Sequence, residues 1–145
     1  MDQTEQHIRV LIADDHSRMR DGIRKIILRQ GDMEVVGEAE NGRKAVDLTV
    51  GLHPDVLVLD IQMPELDGIE VARHLKAIQA PVHILILSAY MDFHFIQAAR
   101  ELDVGGYISK DEAPQELVHA IRCVATGETN CYSQQALKVM GINRG

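Results

Sequence analysis

At 145 residues, with 46% hydrophobic and 26% charged side chains, the chain has the length and composition of one globular domain with a real core; it is too short for two ordinary domains. No apolar run approaches the ~20 residues that a membrane-spanning helix requires. A net charge of −7 argues against nucleic-acid binding by the chain alone, because Lys and Arg must neutralise the phosphates. Proteins and cations are the expected partners.

The N-terminal "MDQTEQHIRV" carries acids where an export signal has a basic region followed by an apolar one, so the expectation is a cytoplasmic protein. Five short segments rich in Val, Ile and Leu then recur along the chain: Ile8 to Ala13, Met33 to Ala39, Asp55 to Asp60, Val82 to Ser88 and Gly106 to Ser109. They read as strands. Between them apolar residues fall at helical spacing: Met19, Ile23, Ile26 and Ile27; Ala45, Val46 and Val50; Ile69, Ala72 and Leu75; Ile96, Ala99 and Leu102. A fifth helix follows, with Leu117, Val118, Ile121, Val124 and Ala125 on one face and Pro114 in its first turn. The order is strand then helix, five times.

The third and fourth strands are apolar almost throughout, as strands are when helices cover both faces of a sheet. Right-handed crossovers then give an open parallel α/β sheet, whose ligand site lies beyond the carboxyl ends of the strands. After the fifth helix the patterning weakens. Residues 1–126 are read as one domain and 127–145 as a linker or docking tail, in which Ser133 to Met140 has the composition of a short helix. Cys123 and Cys131 form no C-x-x-C pattern and are expected to be reduced structural thiols. The seven histidines lack metal-ligand spacing and are expected on the surface or in packing.

At the strand ends stand Asp14 and Asp15, Asp60, Ser88 and Lys110. Singly, each has an ordinary explanation: Asp14 or Asp15 as a helix N-cap, Ser88 as a turn residue, Lys110 as a solvated charge. Together they form a cluster in which carboxylates within ~4 Å repel by roughly 1–4 kcal/mol per pair. One lysine against three acids leaves an excess of negative charge that suits a hard divalent cation, Mg²⁺ with Mn²⁺ as a substitute. That donor set suits phosphoryl transfer, with Asp60 as the nucleophile and the Gln62 backbone carbonyl available to the metal.

The segments "IADDHSRMRDGI", "LDIQMPELDG", "LSAY" and "GYISKD", over residues 8 to 126, resemble the receiver domain of two-component response regulators. That resemblance implies a flavodoxin-like (βα)5 sheet of strand order 2-1-3-4-5. It implies that Asp14 and Asp15 help bind Mg²⁺, that Asp60 accepts a phosphoryl group from a phosphohistidine on a sensor histidine kinase, and that Lys110 contacts that group. Ser88 is then the switch hydroxyl and Tyr107 the switch aromatic, which enters the space Ser88 leaves on phosphorylation. "DDH", "SAY", "GYISKD" and "IRCVATGE" further resemble the NarL/FixJ subfamily, in which a helix-turn-helix domain follows the receiver. The implied protein is a phosphoacceptor of a transcription regulator rather than an enzyme, self-phosphorylating and slowly dephosphorylating, able to pair through its receiver surface. DNA contact would belong to an output domain absent from this sequence.

A stand-alone receiver that relays phosphate is the nearest alternative. A flavodoxin-type cofactor binder is disfavoured by 3% aromatic residues, no Trp and no phosphate-cradling Gly-rich loop. A pseudo-receiver that only binds partners is disfavoured by the full set Asp14, Asp15, Asp60, Ser88 and Lys110.

Overall fold

The computed structural model describes residues 7–141. The first six residues, where an export signal was sought, and the last four of the expected tail lie outside that range. In chain order the elements are β1 (Ile8–Ala13), α1 (Ser17–Leu28), β2 (Met33–Ala39), α2 (Gly42–Leu52), β3 (Val56–Leu59), α3 (Gly68–Ala77), β4 (His83–Ser88), α4 (Phe93–Glu101), β5 (Gly106–Ser109), α5 (Ala113–Ala125), β6 (Cys131–Tyr132) and α6 (Gln134–Val139). The strands form one parallel sheet of order β2-β1-β3-β4-β5-β6. The expected order 2-1-3-4-5 is present, extended by a sixth strand.

The apolar strands divide their side chains between two cores with the period of two that a pleated strand imposes. Leu11, Leu57, Leu59, Ile84, Ile86 and Tyr107 face one core, closed by residues of α2, α3 and α4. Val10, Ile12, Val56, Val58, Leu85, Leu87 and Ile108 face the other, closed by α1 and α5. Burial on both faces is why β3 reads "VLVL" without a polar residue; all four side chains are buried. Its flanking acids serve the ends. Asp55 Oδ2 accepts from the Arg9 backbone N–H at 2.8 Å, and the Asp60 N–H donates to the Ala13 carbonyl at 3.0 Å.

Part of the segment read as a tail folds back onto the sheet. Cys131 and Tyr132 pair with Gly106 and Tyr107, and α6 starts at Ser133, whose hydroxyl accepts from the Ala136 N–H at 3.3 Å. Gly106 permits this approach, since a Cβ there would overlap the Cys131 carbonyl oxygen. The cysteines are not free thiols as expected: Cys123 of α5 and Cys131 of β6 are joined in a disulfide. Sequence spacing did not expose this because it depends on β6 returning beside α5.

Candidate functional site

The β3–α3 loop sets the position of Asp60. Gly68 opens α3 so close to the end of β3 that a Cβ would overlap the Asp60 carbonyl oxygen and lie 2.8 Å from Ile61 Cα. Its N–H donates to the Ile61 carbonyl at 2.8 Å. The preceding Asp67 caps α3 reciprocally with Glu70, each accepting from the other's backbone N–H at 2.8 Å. On the far side, Gly42 lets α2 meet the loop at Leu66 and donates its N–H to the Pro64 carbonyl at 3.2 Å. The Pro-containing stretch is thus clamped between two helix starts. Gln62 lies on it with its side chain exposed.

Asp14 directly follows β1 and is buried, whereas Asp15 stands at the exposed rim. Neither acid caps α1 through a side-chain bond, because the N-cap position belongs to His16. Instead Asp14 Oδ1 accepts from the His16 N–H at 2.8 Å, and Arg20 Nη1 donates to the Asp14 carbonyl at 2.6 Å while its Nε holds Glu38 at 3.0 Å. Arg20 fixes the backbone of the acidic pair.

Lys110 begins a 3-10 turn held by Ser109, whose hydroxyl accepts from the Asp111 N–H at 3.1 Å and whose own N–H donates to Glu112. From there its Nζ reaches 2.9 Å from Asp14 Oδ2 and 3.1 Å from Asp60 Oδ2, with 19% of the side chain exposed. It is no solvated charge. Asp60 Oδ1 accepts from the Ile61 N–H at 2.8 Å. Ligand atoms of Asp14, Asp15, His16 and Asp60 all lie within 4.8 Å of one another. His16 is the member that sequence reasoning missed; its signal was the triplet "DDH" itself.

Burial drives the Asp60 carboxyl above its ordinary pKa and the Asp14 charge adds to this, with Lys110 only partly opposing. The folded state therefore favours protonated Asp60. The associated stability is present below the unfolded carboxylate pKa and lost as pH rises through the higher folded value. At neutral pH the ionised group works against the fold. Asp60→Asn is expected to raise the unfolding free energy, measured by urea denaturation at pH 7 without divalent cation, by about 1 kcal/mol, the scale of one relieved carboxylate repulsion. A variant less stable than wild type would contradict this.

Ser88 ends β4 fully buried, and its hydroxyl accepts from the Tyr90 N–H at 2.9 Å. The turn role and the site position coincide in this residue. Tyr107 is the aromatic expected to enter the space that Ser88 leaves. It is already fully buried, and its hydroxyl donates to the Tyr90 carbonyl. An aromatic ring gains from burial once its one polar atom has a partner, and Tyr90 supplies it. Burial is also the main reason the Tyr107 hydroxyl titrates well above its ordinary value.

Oxygen donors on a buried floor, with one lysine against three acids, have the chemistry of a Mg²⁺ or Mn²⁺ site, which leaves further positions to water or phosphate oxygens. Mg²⁺ fits the residues present. The arrangement places the Asp60 carboxylate beside both the other candidate cation ligands and the Lys110 ammonium.

The chain is similar to known proteins in sequence and in fold. The chain is 33% identical over 123 residues to the transcriptional regulatory protein DegU of Brevibacillus brevis, matching 85% of this chain and 52% of that protein. It superposes on a two-component response regulator of the LuxR family from Aurantimonas sp. SI85-9A1 with a TM-score of 0.86 at 31% identity, covering 93% of this chain and 96% of the other. The RcsB response regulator of Salmonella typhimurium, solved in a study of its DNA interaction, gives a TM-score of 0.86 at 26% identity over 97% of this chain and 70% of its own. The chain spans about half to three-fifths of the length of the curated relatives it matches. Residues 10–122 match the model of the response regulator receiver domain, which takes in the carboxyl ends of β1 to β5 and every residue of the acidic cluster, and the chain belongs to that family.

Proposed function

We propose that this domain accepts a phosphoryl group on Asp60 from a phosphohistidine of a sensor histidine kinase, and that the modified domain controls transcription through a DNA-binding segment outside this sequence. The observation that carries the reading is Lys110 Nζ standing between Asp14 Oδ2 and Asp60 Oδ2, with Asp15 completing the ligand set. The transcriptional part rests on DegU and its kin, whose names are those of regulators. A cytoplasmic location fits such a protein, and no helix among the described residues is long and apolar enough to cross a membrane.

Asp14, Asp15, Asp60 and the Gln62 backbone carbonyl would hold Mg²⁺, which when bound neutralises charge on the transferring group. The rest falls to the chain. An ionised Asp60 oxygen forms the new O–P bond as the N–P bond to the donor imidazole breaks, and the imidazole keeps the electron pair. Asp60 reacts only as the carboxylate, so burial and Asp14, which favour the protonated form, oppose the reaction, and Lys110 opposes them in turn. Lys110 then pairs with a phosphoryl oxygen, at the cost of its bond to Asp60.

Ser88 Oγ, which accepts from the Tyr90 N–H, would donate to another phosphoryl oxygen. A charge-assisted bond of roughly 1.5–3 kcal/mol would shift a two-state equilibrium about ten- to 150-fold. Because Tyr107 is already inside and bonded to the Tyr90 carbonyl, the β4–α4 loop bearing Tyr90 is the element that such a shift repositions.

The test is labelling by acetyl phosphate with and without Mg²⁺. Wild type is expected to gain one phosphoryl group only with the cation, and Asp60→Asn none. Equal labelling of Asp60→Asn would overturn the assignment.

A further inference from the structure

The contact between α5 and β6 carries sulfur and nitrogen donors that phosphoryl transfer does not use. Cys123, Glu128 and Cys131 each place a ligand atom within 4.8 Å of the others. Together with His119 and Glu116 they line a depression of about 200 Å³. His119 stands four residues before Cys123 on α5, the spacing that brings two side chains onto one helical face. Gly127, at φ 92°, reverses the chain after α5 and returns Glu128 over that face. The Glu128 carboxylate lies 3.5 Å from Thr126 Oγ1, whose single hydrogen goes to the nearer Cys123 carbonyl.

Both sulfurs sit on elements held independently of the bond between them. Cys131 is fixed by its N–H to the Gly105 carbonyl at 3.0 Å, and Cys123 by the α5 ladder and by Thr126 Oγ1, which donates to its carbonyl at 2.7 Å. Their Cα atoms are 6.1 Å apart. That spacing suits a disulfide, and it also suits two thiolates on one metal at ~2.3 Å from each sulfur. In a compartment where dithiol reductants keep thiols reduced, the second state is the one exposed to metal.

We propose that the reduced pair, with Glu128 as the third clustered donor and His119, which lines the same depression, turning in as the fourth, binds one Zn²⁺, so that β6 is joined to α5 by a disulfide when oxidised and by metal when reduced. The interconversion balances with a dithiol as the reductant. One of its thiolates attacks a protein sulfur and breaks the S–S bond, and its second thiolate then displaces the first-bonded protein sulfur. The protein gains two electrons and two protons, and the reductant leaves as its own disulfide. Zinc binding then releases the two thiol protons. Thiolates prefer Zn²⁺ to the hard cations suited to Asp14, Asp15 and Asp60. This inference does not depend on phosphorylation of Asp60.

The test uses the full chain reduced with a phosphine under anaerobic conditions and titrated with Co²⁺ as a spectroscopic stand-in for Zn²⁺. The expected result is thiolate-to-cobalt charge-transfer absorption saturating at one equivalent and displaced by one equivalent of Zn²⁺. Oxidised protein, Cys123→Ser and Cys131→Ser are expected to lack that band, and His119→Ala to bind on the order of tenfold more weakly or worse. Co²⁺ on the carboxylate cluster alone gives no such band, so the readout is specific to the sulfurs. No charge-transfer band in reduced wild type, or an undiminished band in either serine variant, would overturn the proposal. Unchanged affinity in His119→Ala would remove His119 from the donor set.

Discussion

Gly68→Ala is expected to lower the unfolding free energy by roughly 3 kcal/mol or more, measured by urea denaturation, and to slow phosphorylation of Asp60 at the same time. A methyl group at this position has no free space. It would overlap the Asp60 carbonyl oxygen and press on Ile61 Cα at 2.8 Å, and both are backbone atoms that no rotamer change can move. Either α3 retreats from the sheet, breaking the Gly68 N–H bond to the Ile61 carbonyl, or the end of β3 shifts. Both routes act on Asp60, whose Oδ1 is held by the Ile61 N–H. Fold and chemistry are therefore coupled at one glycine. Gly22, on α1 with nothing near its Cβ position, is the control: Gly22→Ala should be neutral or slightly stabilising. Equal behaviour of the two variants would contradict the close-approach argument.

Removal of the Lys110 amine ranks beside it. Lys110→Ala leaves Asp14 and Asp60 facing each other on a buried floor without their shared ammonium, and breaking a buried pair on one side costs roughly 3 kcal/mol or more. Burial by itself would lower the Lys110 pKa, but the hydrogen bond to Asp14 and the charges of Asp60 and Asp14 reverse this and raise it. Its contribution is therefore complete at neutral pH and lost only as pH rises through the raised folded value. The distinguishing feature of the variant is rescue. Mg²⁺ replaces the missing positive charge, and a ligand at 100 times its dissociation constant stabilises by about 2.7 kcal/mol. Lys110→Met, which keeps the aliphatic stem, separates packing from charge. A Lys110→Met variant as stable as wild type without Mg²⁺ would count against the charge account.

Much of this architecture was legible because its physical causes are local. Strands covered on both faces must be apolar throughout, and β1, β2 and β5 begin and end at the expected residues; β3 and β4 begin one residue later than expected, and β3 ends at Leu59, one residue before Asp60, whose N–H still donates to the Ala13 carbonyl of β1. The candidate site was legible for a related reason. Ionisable residues at the ends of apolar strands are costly unless they serve one another, and Asp14, Asp60 and Lys110 do.

What was not legible depends on contacts distant in sequence. β6 is two residues long in a polar stretch and exists because Gly106 offers room beside β5. The Cys123–Cys131 bond follows from β6 and so was hidden with it. The inward position of Tyr107 turns on a carbonyl seventeen residues earlier in the chain, which no pattern of residue types announces. His16 was overlooked because the histidines lack metal-ligand spacing and were expected on the surface or in packing, with the cap of α1 given to Asp14 or Asp15; His16 itself occupies that cap position without making a side-chain cap bond.

The central claim is that Asp60 is the phosphoryl acceptor, and borohydride trapping tests it most directly. Protein incubated with acetyl phosphate and Mg²⁺, then reduced and digested, is predicted to carry homoserine at position 60 and aspartate at 14 and 15. Homoserine at position 14 or 15, or none in protein whose intact mass shows a phosphoryl group, would contradict the account.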